Sequence, residues 1–77
     1  MSQKIQHTVQ LRALRQRIGR NIHDLRLKRK PTLEKLSRLS GLHPDTLDRL
    51  EMGKNEIGLD HIVRLAAAFK IAPGVFL

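Results

Sequence analysis

The residues with the clearest chemical capacity are the lysines and arginines, whose cationic side chains bind phosphates and carboxylates. The chain of 77 residues has 15 of them against 7 acidic residues, which gives a formal net charge of +8. Residues 1–30 hold nine bases and one acid, Asp24, whereas residues 31–77 hold six residues of each sign. A basic stretch confined to one part of a small chain is typical of nucleic-acid-binding proteins. The alternatives are a solvated helix face and a contact surface for a partner subunit.

The remaining residues give little support for catalytic or metal chemistry. The four histidines have no metal-ligand spacing and the chain has no cysteine, so we expect neither a metal site nor a cofactor. No set of serine, histidine and acid is predicted to share a cleft, and a domain this small has little room for a substrate pocket. Phe69 and Phe76 are the only aromatic residues, which argues against base stacking. The sequence therefore favours a binding protein over an enzyme.

Most of the basic residues of the first thirty lie on a predicted first helix. Its apolar stripe recurs every three or four positions and is expected to be core: Leu11, Leu14, Ile18, Ile22 and Leu25. Thr8 is a suitable N-cap, and the helix must end before Pro31. Gly19 weakens a helix by about 1 kcal/mol relative to alanine, so one long helix and two pieces joined there both stay open. Residues 1–17 are assigned as a basic arm or an extension of this helix, and residues 18–77 as the folded domain.

Two short helices follow, separated by a tight turn. Thr32 is predicted to cap the second helix, and Gly41 to end it in a left-handed conformation. His43 is the expected N-cap of the third helix, Pro44 its first residue and Gly53 its stop. The apolar positions of the two helices are Leu33, Leu36, Leu39, Leu47 and Leu50.

A fourth helix is predicted from about Leu59 to Lys70, and Pro73 and Gly74 then allow only a turn or a short fifth helix. No strand pattern is present, so the fold class is all-α, a bundle of four or five helices. No apolar run approaches the ~20 residues of a membrane span, and the first residues do not lead into a signal-peptide core. We therefore expect a cytoplasmic protein without a membrane partner.

The segment from Thr32 to Lys54, TLEKLSRLSGLHPDTLDRLEMGK, resembles a helix-turn-helix, in which one helix braces the backbone and the next enters the major groove. From about Ile18 to Phe76 the sequence resembles the lambda-repressor-like, Cro-type family, also called the xenobiotic-response-element family. The residues that carry the resemblance stand in the family's order: Ile22, Leu25, Arg26, Thr32, Leu36, Ser37, Gly41, Leu42, Thr46, Leu47, Leu50, Glu51, Gly53, Lys54, Leu59, Ile62, Leu65, Ala66 and Phe69.

The resemblance implies a role for particular residues. Base reading falls to Pro44, Asp45, Thr46, Asp48 and Arg49, with the Arg49 guanidinium suited to guanine. Lys54 and Asn55 match the loop that grips the phosphate backbone, and Arg26 and Glu51 match an internal ion pair. The sequence adds other candidates for phosphate binding: Arg12, Arg15, Arg20, Thr32, Lys35 and Arg38. Leu33 departs from the family, because a glutamine often clamps a phosphate at that position.

The resemblance further implies a transcriptional regulator, most simply a repressor, that binds double-stranded DNA as a homodimer on half-sites ~34 Å apart. Residues 71–77 are a candidate dimer contact, although core packing explains them equally well. Two other functions stay open. One is an antitoxin of the same fold with a toxin or regulator as protein partner; the other is an interaction module without DNA binding, which the acids Asp45 and Asp48 favour. An RNA-binding protein is less favoured, because no RNA-reading motif is present.

Overall fold

The computed structural model describes the backbone from Ser2 to Leu77 and the side chains from Val9 onward. Four α-helices and one short 3-10 helix make up the described chain, which confirms the predicted all-α fold. In chain order they are α1 Ser2–Arg29, α2 Leu33–Ser40, α3 Pro44–Glu51, α4 Leu59–Phe69 and the 3-10 helix Pro73–Phe76. No helix among the described residues is both long and apolar enough to cross a membrane.

The first helix is longer than predicted. It begins at Ser2, so Thr8 lies inside the helix and the prediction that it is the N-cap is wrong. The helix passes through Gly19 without a break, so residues 2–17 and residues 18–29 form one helix. Met1 lies outside the described residues. The helix ends at Arg29, and Lys30 takes a left-handed φ of 62° just past its last turn, before Pro31.

One hydrophobic core holds the elements together, and it draws on every helix. Its buried residues are Ile18, Ile22, Leu36, Leu42, Leu47, Leu50, Ile62, Leu65, Ala66, Phe69 and Phe76. Phe69 and Phe76 meet edge to face with their ring centroids 6.2 Å apart, which joins α4 to the 3-10 helix. In addition, the Asn21 side chain donates a hydrogen bond of 2.8 Å to the carbonyl of Phe76, so the chain end is held on α1.

The prediction that the whole stripe of α1 is core is wrong at its N-terminal end. Leu11 and Leu14 are 57% and 44% exposed, whereas Ile18 and Ile22 are buried. The reason is length: a helix of 28 residues spans about 42 Å at 1.5 Å per residue, and the molecule measures 44 × 23 × 20 Å. About half of α1 therefore extends past the elements that cover the other half. Leu39 of α2 is also exposed, although its spacing matches the buried Leu36.

Candidate nucleic-acid interface

The third helix is fixed from beneath by two side chains on its inner face. Leu47 and Leu50 are fully buried, and they contact a core to which α2 contributes Leu36. Between the helices, Gly41 adopts a left-handed φ of 74° and donates its N–H to the carbonyl of Ser37. This turn closes α2 and lets the chain reverse into α3 within a few residues, as the sequence predicts.

The start of α3 is formed by an uncommon capping residue. The His43 ring accepts a hydrogen bond of 3.1 Å at Nδ1 from the backbone N–H of Asp45, and Pro44 occupies the first helical position. Pro44 lacks an N–H, so nothing is left unsatisfied there. The Asp45 carboxylate lies in the first turn, where the helix dipole favours negative charge. Both His43 and Asp45 are exposed at the free end of the helix.

The end of α3 is tied to α1 by a buried carboxylate. Glu51, with only 5% of its side chain exposed, accepts hydrogen bonds of 2.6 and 3.0 Å from Arg26 Nε and Nη2. His23 Nδ1 lies 2.6 Å from the same carboxylate. The hydrogen bonds from Arg26 to Glu51 raise the pKa of Arg26 above its ordinary value, against the opposing effect of partial burial. The structure thus brings the implied Arg26–Glu51 pair together and adds His23.

Gly19 lets α1 and α3 approach more closely than any other residue would. A Cβ atom at this position would lie 2.2 Å from the carbonyl oxygen of Leu50 and 2.9 Å from that of Glu51. The glycine that weakens α1 locally is therefore the point at which the last turn of α3 crosses it. As a result, the inner side and the C-terminal end of α3 are covered, whereas its outer face and its start are not.

The candidate base-reading residues lie together on that uncovered part of α3. Asp45, Asp48 and Arg49 are exposed, and their spacing of three and four residues places them on one side of the helix. Pro44 and Thr46 are half-buried beside them. The face carries two carboxylates and one guanidinium, so its own charge does not attract a phosphate backbone.

The loop after α3 brings further polar groups next to this face. Gly53 has a left-handed φ of 70°, and the Lys54 N–H donates to the Arg49 carbonyl at 2.9 Å, which turns the chain sharply. A Cβ atom at Gly53 would come within 3.0 Å of Gln16 on α1. Lys54 is exposed and Asn55 is half-buried, and both lie in the loop that follows α3.

The candidates on α2 lie at its start and along its exposed side. Thr32 caps α2 by accepting a hydrogen bond of 3.0 Å at Oγ1 from the Lys35 N–H. Thr32, Lys35 and Arg38 are all exposed and follow one another at intervals of three residues. The threonine hydroxyl can still donate its hydrogen to an acceptor outside the chain, because the cap uses only its oxygen lone pair.

The three arginines of α1 that are candidates for phosphate binding do not line one depression. Arg12 and Arg20 are exposed, and Arg20 borders a shallow depression with Gln16, Arg17 and Asn21. Arg15 is half-buried in a different groove, beside Glu56 and Ile57. Arg12 and Arg20 are thus exposed, whereas Arg15 lies half-buried in a groove that neither of the other two lines.

Sequence reasoning missed three side chains of α1 that bond to other elements of the fold. His23 joins the Arg26–Glu51 pair, Asn21 binds the Phe76 carbonyl, and the Arg29 guanidinium donates to the Phe69 carbonyl while lying over its ring. The spacing of His23 and Arg26, three residues apart on one helix face, was an available signal for the first contact. No comparable signal exists for the other two, because their partners are backbone carbonyls distant in sequence.

Comparisons with known proteins agree with this geometry. Residues 22–76 match the family model described as helix-turn-helix. The fold is similar to the crystal structure of the restriction-modification controller protein C.AhdI from Aeromonas hydrophila, with a TM-score of 0.80 and 29% sequence identity. The alignment covers 84% of this chain and 98% of the controller protein. The search of curated proteins gives no match.

Proposed function

The chain belongs to the helix-turn-helix family, of the lambda-repressor-like kind, and from this premise we propose that it is a sequence-specific double-stranded DNA-binding protein that represses transcription. One observation carries the proposal: the outer face and the start of α3 are exposed, while Leu47, Leu50 and Glu51 fix its inner side and its end. A helix that is held rigidly from beneath and exposed above has the shape required to enter a major groove.

Sequence selection falls to the exposed face of α3. Arg49 can donate two hydrogen bonds to guanine O6 and N7, which is the most common specific contact of this kind. Asp45 and Asp48 can accept from the cytosine N4 amino group, and Thr46 can contact a thymine methyl group or a phosphate. Pro44 supplies an apolar surface at the same end. Because Asp45 and Asp48 repel phosphates, this face selects the DNA sequence but contributes little to the affinity.

Affinity comes from cations and hydrogen-bond donors around that face. Lys54 and Asn55 follow α3, while Thr32, Lys35 and Arg38 lie at the start and along the exposed side of α2. Arg12 and Arg20 add sequence-independent attraction from α1, and Arg15 adds its charge from the groove. Contacts of this type release counterions from DNA, so binding should weaken steeply as salt rises.

A homodimer completes the proposal. Val75 and Leu77 near the chain end are exposed, although both are apolar, and a second copy could cover them. Two copies related by a two-fold axis would read half-sites about one helical turn apart. The similarity to a controller protein supports a regulatory role, and the family resemblance supports repression by occupation of an operator.

Selection of bound sequences from a random pool of DNA duplexes tests the proposal. We expect enrichment of a two-fold symmetric site with half-sites about 10 base pairs apart, and a binding constant that falls steeply with salt. A promoter carrying the selected site should be less active when the protein is present. Enrichment of no sequence would contradict specific binding, and a more active promoter would contradict repression.

One observation favours a second candidate, a protein-interaction module that does not bind DNA. The two carboxylates of Asp45 and Asp48 project from the face that would lie in the groove. Titration with random-sequence duplex at low salt separates the two functions. A DNA-binding protein of this charge should bind any duplex under those conditions, and an interaction module should not.

A further inference from the structure

A shallow depression, which we call the α1 depression, lies on α1 between the loop after α3 and the chain end. Its volume is about 270 Å³. It is lined by Gln16, Arg17, Arg20 and Asn21. At one edge, Gln16 lies within 3.0 Å of the position that a Cβ atom of Gly53 would take. At the other edge, Asn21 donates its side-chain N–H to the carbonyl of Phe76.

The charge of the α1 depression is not balanced. Arg17 and Arg20 are exposed, and neither forms an ion pair among the residues whose side chains are described. The sequence has no acidic residue before Asp24, which lies one turn beyond Arg20 and does not line the depression. The lining therefore carries two positive charges and no negative one. Arg15 differs in this respect, because Glu56 lines the same groove.

The lining supplies hydrogen-bond donors as well as charge. A guanidinium carries five N–H donors in a fixed plane, and the amide of glutamine carries two. Arg17, Arg20 and Gln16 are all exposed, so their donors are accessible to a ligand. Guanidinium groups bind phosphates and carboxylates through two parallel hydrogen bonds. The chemistry of the α1 depression therefore favours an anion with several acceptor oxygens.

The position of the α1 depression favours a phosphate of DNA over a carboxylate of a protein. Gln16 lies against Gly53, and the next residue, Lys54, is the exposed cation of the loop that we propose to bind the DNA backbone. A strand that is held at Lys54 can continue onto α1 beside Gln16. Arg12, which is also exposed, lies one turn before Gln16 and extends the same row of donors.

We infer that the α1 depression is a binding site for a phosphate of the DNA backbone. Arg17 and Arg20 pair with the phosphate oxygens, and Gln16 donates from the side of the loop after α3. The inference rests on the proposed DNA binding and adds Arg17 and Gln16, which sequence reasoning did not select. It also gives Arg15 a smaller part in the affinity, since Glu56 offsets its charge.

The test compares two substitutions in the full chain that each remove one positive charge from α1. Arg17→Gln should weaken binding to a random-sequence duplex about fivefold at about 0.1 M salt and lower the salt slope by about one. Lys28→Gln is the matched control, because Lys28 is an exposed cation about three turns from Arg17 and does not line the depression. The control should weaken binding less than about twofold.

Ethylation of single phosphates in the selected duplex locates the contact. Ethylation removes the negative charge of a phosphate, so the native chain should bind poorly to duplexes that are modified where Arg17 makes its contact. The Arg17→Gln chain should be insensitive to ethylation at that phosphate and should keep the rest of the native pattern. Lys28→Gln should show the whole native pattern.

Two results would overturn the inference while leaving the proposed DNA binding intact. One is a loss after Arg17→Gln no greater than that after Lys28→Gln, and the other is an unchanged ethylation pattern in the Arg17→Gln chain. A native chain that binds no duplex at low salt would instead contradict the proposed function itself.

A third substitution separates charge from structure. Arg17→Lys keeps the positive charge and should keep the native salt slope on random duplex, with a native melting temperature. A salt slope as low as that of Arg17→Gln would show that the charge of Arg17 is not what binds the duplex, and would also overturn the inference.

Discussion

The two halves of α1 have the same helical period and nearly the same positive charge, yet they differ in almost every contact. In the C-terminal half, Ile18 and Ile22 are buried, and Arg26 is bonded to a carboxylate on another helix. In the N-terminal half, Leu11 and Leu14 continue the same stripe but are exposed. An apolar stripe therefore indicates which face of a helix can be buried. Whether that face is buried depends on the elements that pack against it.

The largest effect is expected where the C-terminal half of α1 holds the end of α3. Glu51→Ala would remove the buried acceptor of Arg26 and His23 and should lower the free energy of unfolding by about 3 kcal/mol, because a partly buried guanidinium loses its partner. Urea denaturation measures the change. Glu56→Ala is the control, because this exposed glutamate has no ion pair among the described residues and should change stability by less than about 0.5 kcal/mol.

A smaller loss is expected from Gly19→Ala. In an isolated helix the change would be stabilising, but here the new Cβ atom would meet the Leu50 carbonyl, so α1 and α3 must separate. Overpacking of this kind costs about 2 kcal/mol. Gly74→Ala is the control, because its Cβ atom would meet nothing within 4 Å. A stability gain at Gly19 would show that the close crossing does not occur in solution.

The next prediction concerns DNA binding, and it separates sequence selection from sequence-independent affinity. Arg49→Ala should cost about 1–3 kcal/mol at one base pair of the selected site and leave binding to random duplex nearly unchanged. Arg20→Ala should instead weaken all duplexes alike and reduce the salt slope by about one. Fluorescence anisotropy with matched and mismatched duplexes at several salt concentrations measures both. If the two variants behaved alike, the division of roles between α3 and α1 would be wrong.

The smallest effect is expected in the N-terminal half of α1. Leu11→Ser replaces an exposed side chain and should change the free energy of unfolding by less than about 0.5 kcal/mol. Ile22→Ser, in the C-terminal half of α1, replaces a buried side chain and should lower the free energy of unfolding several times more. Thermal unfolding of the two variants gives the comparison directly. Similar losses would mean that the stripe of α1 is buried along its whole length in solution.

Sequence alone predicted those features that depend on local rules. Thr32, Gly41 and Pro44 took their places because capping, left-handed turns and the first helical position each demand a particular residue type. The start of α1 was misplaced, because Thr8 is a good cap wherever a helix happens to begin. Among the candidate site residues, the helical spacing of Asp45, Asp48 and Arg49 predicted their shared exposed face, while base reading by that face stays a prediction.

What sequence could not supply was the arrangement of distant parts. Arg15 looks like Arg12 and Arg20 in the sequence, but only the packing of the loop at Ile57 shows that it borders a groove. The spacing of His23 and Arg26 shows that they share a helix face, but Glu51 is 28 positions from His23, so the spacing does not show that Glu51 lies opposite that face. Such contacts depend on which surfaces meet, and a single sequence does not record that.

The hydrogen bond between Asn21 and the Phe76 carbonyl has a consequence for the order of folding. It joins residues 55 positions apart in a chain of 77, so more than two thirds of the chain must close into a loop before it can form. The helices can assemble around Leu36 and Leu47 first, and the last turn then docks onto α1. We therefore expect substitutions at Asn21 to speed unfolding more than they slow folding. The docking of the 3-10 helix on α1 would then set how long the native state survives.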